Sequence, residues 1–209
     1  MAALAGAAAP FLAALPAPAH AQALTGAARD EALRALSQAV NGLRALQGRF
    51  EQTNPDRSVN AGAFWLSRPG KMRFEYDAPS PLLLVSDGTN VAVQDRRLRT
   101  TDRYPLRATP LYFLLKAEVD LARDVIVDAI ERRGGLLIAT VRDRRREADG
   151  RLTLAFDEAG RSLREWSVRD RRGQTTRVRL VESRSVGRLD PALFVAPGGG
   201  RRYDPSGGR

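Results

Sequence analysis

The 209-residue chain has no cysteine, and its one histidine, His20, falls among the first twenty-one residues. Without cysteine there are no disulfides, so the fold must stand on packing alone. From Gln22 onward there is neither histidine nor cysteine. A Ser-His-Asp triad, a cysteine nucleophile, a zinc site of ordinary ligands and a haem ligand set are therefore all excluded. The glycine-rich phosphate cradles G-x-x-x-x-G-K-[ST] and G-x-G-x-x-G are also missing, which removes the usual nucleotide sites. No metal or cofactor is called for. Paired carboxylates, Glu75 with Asp77 or Asp87, keep a glycoside hydrolase formally open. They alternate with arginine or sit at a turn, however, and solvated surface charge is the better account of them.

Long apolar runs are scarce too. Met1 to Ala21 is rich in alanine and leucine and has no Lys, Arg, Asp or Glu, but Pro10, Pro16 and Pro18 interrupt it and it is too short to span a bilayer. Its end, Ala19-His20-Ala21, has the small-x-small form of a secretory cleavage site. The expectation is a signal peptide over 1–21, cut before Gln22, and a single exported domain over 22–209. The net charge is +10, almost all of the excess from arginine. Export argues against nucleic acid as a partner. So does the alternation of Arg97/Arg99, Arg142/Arg144 and Arg177/Arg179 along strands, which reads as a solvated sheet face, while the sign of the net charge suggests weak affinity for anionic membrane surfaces.

What is present is a strand pattern. In the stretch from Phe64 to Gly88, Arg68-Pro69-Gly70-Lys71 is a turn signal. After it Met72, Phe74 and Tyr76 point one way while Lys71, Arg73, Glu75 and Asp77 point the other. One face is greasy and the other wet. Ser86-Asp87-Gly88-Thr89 closes a second turn, pairing Leu82-Leu83-Leu84-Val85 with Asn90-Val91-Ala92-Val93.

The order of Gly62, Phe64, Trp65, Arg68 and Pro69, then Phe74 and Tyr76, then Leu84-Val85-Ser86-Asp87-Gly88 resembles the LolA family of periplasmic lipoprotein carriers. Gly48-Arg49-Phe50-Glu51-Gln52 is similar to the G-x-F-x-Q of that family's first strand, with Asn54-Pro55-Asp56-Arg57 turning out of it.

Around this stretch, Leu33, Leu36, Val40 and Leu43 form one stripe of a helix expected over Asp30 to Leu46, capped by Thr25 or Asp30. After Asp95 the chain is expected to continue as strand through Leu98 to Tyr104. A short helix should follow Pro110, with Thr109 as its cap. Five strands are expected in the second half: Asp124 to Arg132, Gly135 to Asp143, Arg151 to Asp157, Ser162 to Asp170 and Gln174 to Ser183. Gly134-Gly135, Asp149-Gly150, Glu158-Ala159-Gly160 and Arg172-Gly173 mark the turns, which gives an antiparallel meander. The segment Leu189 to Gly198 is similar to the family's closing F-x-x-x-P-x-G, and Asp204 to Arg209 should fray.

The fold class is therefore mainly β with helices (α+β). The resemblance implies a single curved antiparallel sheet forming an unclosed half-barrel, covered by the N-terminal helix and a short lid helix. It also implies a monomeric periplasmic carrier that binds the acyl chains of lipoproteins. An ABC-type releasing complex in the inner membrane would load it, and an outer-membrane acceptor would unload it. The lipid-binding cavity would be lined by Phe64 and Leu66, by Met72, Phe74 and Tyr76, by Leu82, Leu84, Val91 and Val93, and by Leu111, Phe113 and Leu114 of the lid. Arg68 would latch the lid through its backbone carbonyls. The alternative is a lipoprotein-sensing interaction module of the same half-barrel kind, which would usually carry a second domain.

Overall fold

The computed structural model describes residues 21–144, 150–159 and 161–198, and the backbone of 201–202. The expected signal segment, the frayed end Asp204 to Arg209, and parts of the turns at Asp149-Gly150 and Glu158-Ala159-Gly160 lie outside these residues. The chain opens with β1 (Gln22–Ala23), α1 (Gly26–Gly42) and β2 (Ala45–Thr53). A meander follows: β3 (Val59–Ser67), β4 (Lys71–Tyr76), β5 (Leu82–Asp87), β6 (Asn90–Asp95) and β7 (Thr100–Pro105). Two short helices, α2 (Tyr112–Leu115) and α3 (Leu121–Asp124), lead to a second meander. It consists of β8 (Val125–Arg133), β9 (Leu136–Asp143), β10 (Arg151–Asp157), β11 (Leu163–Arg169) and β12 (Thr175–Ser185), and β13 (Arg201–Arg202) ends the described chain.

All of these strands belong to one sheet, ordered β1-β8-β9-β10-β11-β12-β2-β3-β4-β5-β6-β7-β13 and therefore unclosed, with β1 and β13 at its edges. Neighbours are antiparallel except β13, which runs parallel to β7. β12 lies against β2, with Leu180 opposite Phe50, and joins the two meanders. A period-two pattern then places one set of side chains inward across both halves. Phe50, Phe64, Phe74, Leu154, Trp166 and Leu180 all lie in one buried cluster with Ala32, Leu33, Leu36 and Val40 of α1. The helix thus lies over the concave face because its apolar stripe has nowhere else to be buried.

Several boundaries differ from the sequence reading. The first helix starts and ends four residues earlier than expected. Leu43 and Leu46 continue its spacing but are buried after the helix has ended, Leu46 already in β2. Thr25 is the N-cap by position yet makes no side-chain capping bond. The helix expected after Pro110 is a single turn without a Thr109 cap, because the Thr109 hydroxyl donates back to Leu106 O at 2.8 Å. Between Asp95 and Thr100 the chain turns instead of continuing as strand, since Asp95 Oδ1 accepts the N–H groups of Arg97 and Leu98. The outer face is not uniformly wet either. A 3-10 turn, Pro191–Phe194, lies against β4 and β5, and Leu189 and Phe194 pack with Ala45 and Trp65 on the convex side.

Candidate functional site

The concave face is built around aromatic rings. Phe50 meets Phe74 edge-on with centroids 4.7 Å apart and Tyr76 at 5.1 Å. Phe74 also stacks on Phe64 at 5.8 Å and meets Trp166 edge-on at 5.7 Å. Such pairs hold ring positions beyond what area burial alone provides. Gly62 of β3 makes this possible: a Cβ there would stand 2.7 Å from the Phe50 ring and 2.1 Å from Glu75 O. Burial pushes the Tyr76 hydroxyl up to about 12, against the opposing effect of its 2.7 Å bond to Gln52 Oε1.

All twelve residues expected to line a cavity fall in or against this cluster. Phe64, Leu66, Met72, Phe74, Tyr76, Val91, Phe113 and Leu114 are buried in it, and Leu82, Leu84, Val93 and Leu111 pack on it partly buried. The expectation did not include Phe50, Trp166, Leu154 and Phe156, which complete the same surface. Phe50 was visible in G-x-F-x-Q, whereas Trp166 becomes a neighbour of Phe74 only through the β12–β2 pairing.

Helices close the open side. The backbone of the segment after α2 is bound from three directions. Gly70 N–H donates to Leu115 O at 2.8 Å. Asn41 of α1 bonds both the N–H and the carbonyl of Val119, each at 2.9 Å. Ser37, one turn earlier, accepts the Leu121 N–H at 3.1 Å. Lys116 pairs with Asp124, which also accepts the Asp120 N–H at 2.9 Å. Burial opposes ionisation of Asp124, but the Lys116 ammonium and the Asp120 N–H outweigh it and hold the carboxyl below its usual range. Ser37 and Asn41 were not singled out from sequence. Their signal was a pair of short polar residues four apart beside the apolar stripe.

Arg68 stands where these pieces meet. Its Nη2 donates to the carbonyl oxygens of Lys116 and Ala117, the second at 3.3 Å, and to Asn41 Oδ1 at 3.4 Å. Its Nε and Nη1 are buried without an acceptor. Burial, with Arg44 nearby, lowers its pKa from the ordinary value, yet it remains a cation.

A small hollow of about 20 Å³ lies between Thr109, Pro110 and Phe113 on one side and Val141 and Leu152 of the concave face on the other. Two crevices of about 450 and 420 Å³ flank α1. The first runs between Gln38, Leu43 and Leu46 and the strand ends at Leu163 and Ser185, and the second between Leu33, Ser37 and Val119. Outside, Glu75 is bound by Arg96 at 2.6 Å and Arg73 at 2.8 Å, which lower its pKa. Asp77 pairs with Arg49. A carboxylate held ionised in this way is unsuited to act as a general acid. No cluster able to hold a metal ion occurs among the described residues.

An unclosed antiparallel sheet with an apolar, aromatic concave face, roofed by helices that are pinned by hydrogen bonds, defines the class of half-barrels with a hydrophobic interior. Within that class the chain belongs to the LolA family: the family model described as outer membrane lipoprotein carrier protein LolA matches residues 41–197. It is 30% identical over 185 residues to an outer-membrane lipoprotein carrier protein of Methylibium petroleiphilum, covering 83% of this chain and 90% of that one. It is 28% identical to the protein of the same description from Chromobacterium violaceum, with 89% and 93% covered. The fold is similar to that of a domain described as a candidate outer membrane lipoprotein-sorting protein from Vibrio parahaemolyticus. That match has a TM-score of 0.51 at 11% identity and covers 78% of this chain and 94% of that one.

Proposed function

We propose that the protein is a non-enzymatic periplasmic carrier of lipoproteins. Its concave face takes up acyl chains released from the inner membrane by an ABC-type complex and surrenders them to an outer-membrane acceptor. A buried methylene is worth about 0.8 kcal/mol, so several long chains hold a lipoprotein in a bilayer by tens of kcal/mol. A carrier interior must match that contact to make transfer nearly isoenergetic, and the cluster around Phe50, Phe74 and Trp166 has the composition to do so. Because the concave face is buried beneath α1 and the segment from Tyr112 to Asp124, loading requires these to lift.

The observation that carries this reading is the position of Arg68. One nitrogen spans the lid carbonyls and α1, while the other two are buried without acceptors. Unsatisfied buried donors cost free energy, so closure is held by a contact that is only partly compensated and that opening relieves. Lid closure then supplies the difference between two states that ligand release requires.

Native mass spectrometry of the protein recovered from the periplasm tests the proposal. A co-purifying acylated polypeptide is the expected result, and consistent recovery of the empty protein from cells exporting lipoproteins would count against it.

A further inference from the structure

The β6–β7 hairpin ends in Asp95-Arg96-Arg97-Leu98-Arg99, and carriage in the concave face gives this tip no role. The turn is built to present Leu98. Asp95 Oδ1 accepts the N–H groups of Arg97 at 2.8 Å and Leu98 at 2.9 Å, and Arg96 N–H donates to Pro81 O at 3.0 Å. Arg99 takes a φ of 55°, a region non-glycine residues seldom enter. The outcome is a leucine 68% exposed. Arg96 is engaged by Glu75, but Arg97 and Arg99 have no carboxylate partner among the described residues. The β2–β3 turn repeats the arrangement: Asp56 is occupied by Ser58, Arg57 has a φ of 68° and no carboxylate partner among the described residues, and Val59 is 62% exposed. In an antiparallel meander both turns fall at the same end of the strands, a turn-bearing edge distinct from the edge strands β1 and β13 and opposite the end that carries Arg68 and Gly70.

We propose that this edge docks on the surface of an anionic lipid bilayer, with Leu98 entering the acyl boundary and Arg57, Arg97 and Arg99 lying at the level of the phosphates. A protein partner would need a contiguous apolar centre to pack against, whereas these apolar residues stand singly on separate tips. A bilayer accepts single tips, because the hydrocarbon boundary is fluid and each guanidinium can bond a lipid phosphate. The chain's +10 charge favours the same surface, and the hairpins give it a direction. Docking by this edge leaves the Arg68 contacts free to open, so a lipid-facing orientation is added to the carrier function and stands independently of it.

The test is flotation of residues 22–209 with phosphatidylcholine vesicles, with or without phosphatidylglycerol. Wild-type protein should float with the anionic vesicles only. Leu98→Ser should weaken binding about tenfold, the loss expected when one leucine is no longer buried. Arg97→Glu with Arg99→Glu should abolish it. A control of equal net charge, Arg34→Glu with Arg188→Glu, should still bind, and cargo retention in native mass spectrometry should be unchanged in every variant. Wild-type protein that does not float would overturn the proposal. So would tip variants that float as the control does, since diffuse charge or another surface would then be responsible.

Discussion

Arg68 makes its decisive contacts with one nitrogen, so removing the side chain removes a cost along with a benefit. In Arg68→Leu, the bonds to Lys116 O, Ala117 O and Asn41 are lost together with the two unpartnered nitrogens. Thermal unfolding should move by no more than about 1 kcal/mol. Delivery of bound lipoprotein to acceptor membranes should slow, and delivery at the wild-type rate would remove Arg68 from the latch role. Phe74 poses the complementary question. It is buried among Phe50, Phe64 and Trp166, and a carboxylate there would cost several kcal/mol out of about 5–15 if water never reached it. If the face opens, water solvates the charge in the open form. Phe74→Glu should then still melt cooperatively while failing to bind acylated peptide. A variant that does not fold would identify this face as permanent core.

At the scale of elements, the roof and the tail are held in different ways. The segment from Lys116 to Asp124 is held by a set of polar bonds beside the buried Val119 and Leu121, and Asp124 is one group through which pH reaches it. Its carboxyl titrates below the usual carboxylate value in the folded protein. The stabilisation it provides is therefore complete above about pH 3.9 and is lost as pH falls through the lower folded value. Asp124→Asn should raise amide hydrogen exchange across 116–124 at neutral pH and diminish the acid-dependent rise expected of the wild-type protein. The C-terminal segment is instead held by packing: Phe194 is buried against Trp65 and Ala45, and Arg73 Nη1 donates to Leu193 O at 3.3 Å. Phe194→Ala should cost about 3–5 kcal/mol in denaturant melts, the usual range for emptying a buried phenylalanine site. It should leave exchange in the roof unchanged.

The described residues form one sheet with its apolar side covered by its own helices, and on that ground a monomer is the expected state. β1 begins at Gln22, paired with Arg132 of β8, so cleavage after Ala21 would leave the first strand intact. N-terminal sequencing of exported protein should find Gln22, and sedimentation should find a single protomer. Much of this architecture was legible in the sequence. Turns depend on local chemistry, so Arg68-Pro69-Gly70 and Ser86-Asp87-Gly88 could be located from a few residues, and Gly70 indeed takes a φ of 78°. Alternation is also local, so β10 was found at its observed limits, Arg151–Asp157. The resemblance to the LolA family was carried by the same local motifs. Other features depended on residues far apart in the chain. Leu82-Leu83-Leu84-Val85 does not alternate, because the outer side of β5 is covered by a tail more than a hundred residues later, so Leu83 and Val85 are buried as well. Where the first helix ends could not be read from spacing, since Leu43 and Leu46 satisfy the helical period and the sheet equally. Arg68 reaches Lys116 across 48 positions, and Asn41 reaches Val119 across 78. Composition and periodicity determined which segments are strands and which faces are apolar, because both are set within a few residues. Only the packing of the helices on the unclosed sheet decided which polar groups hold the roof, because hydrogen bonds of that range exist only once the chain is folded.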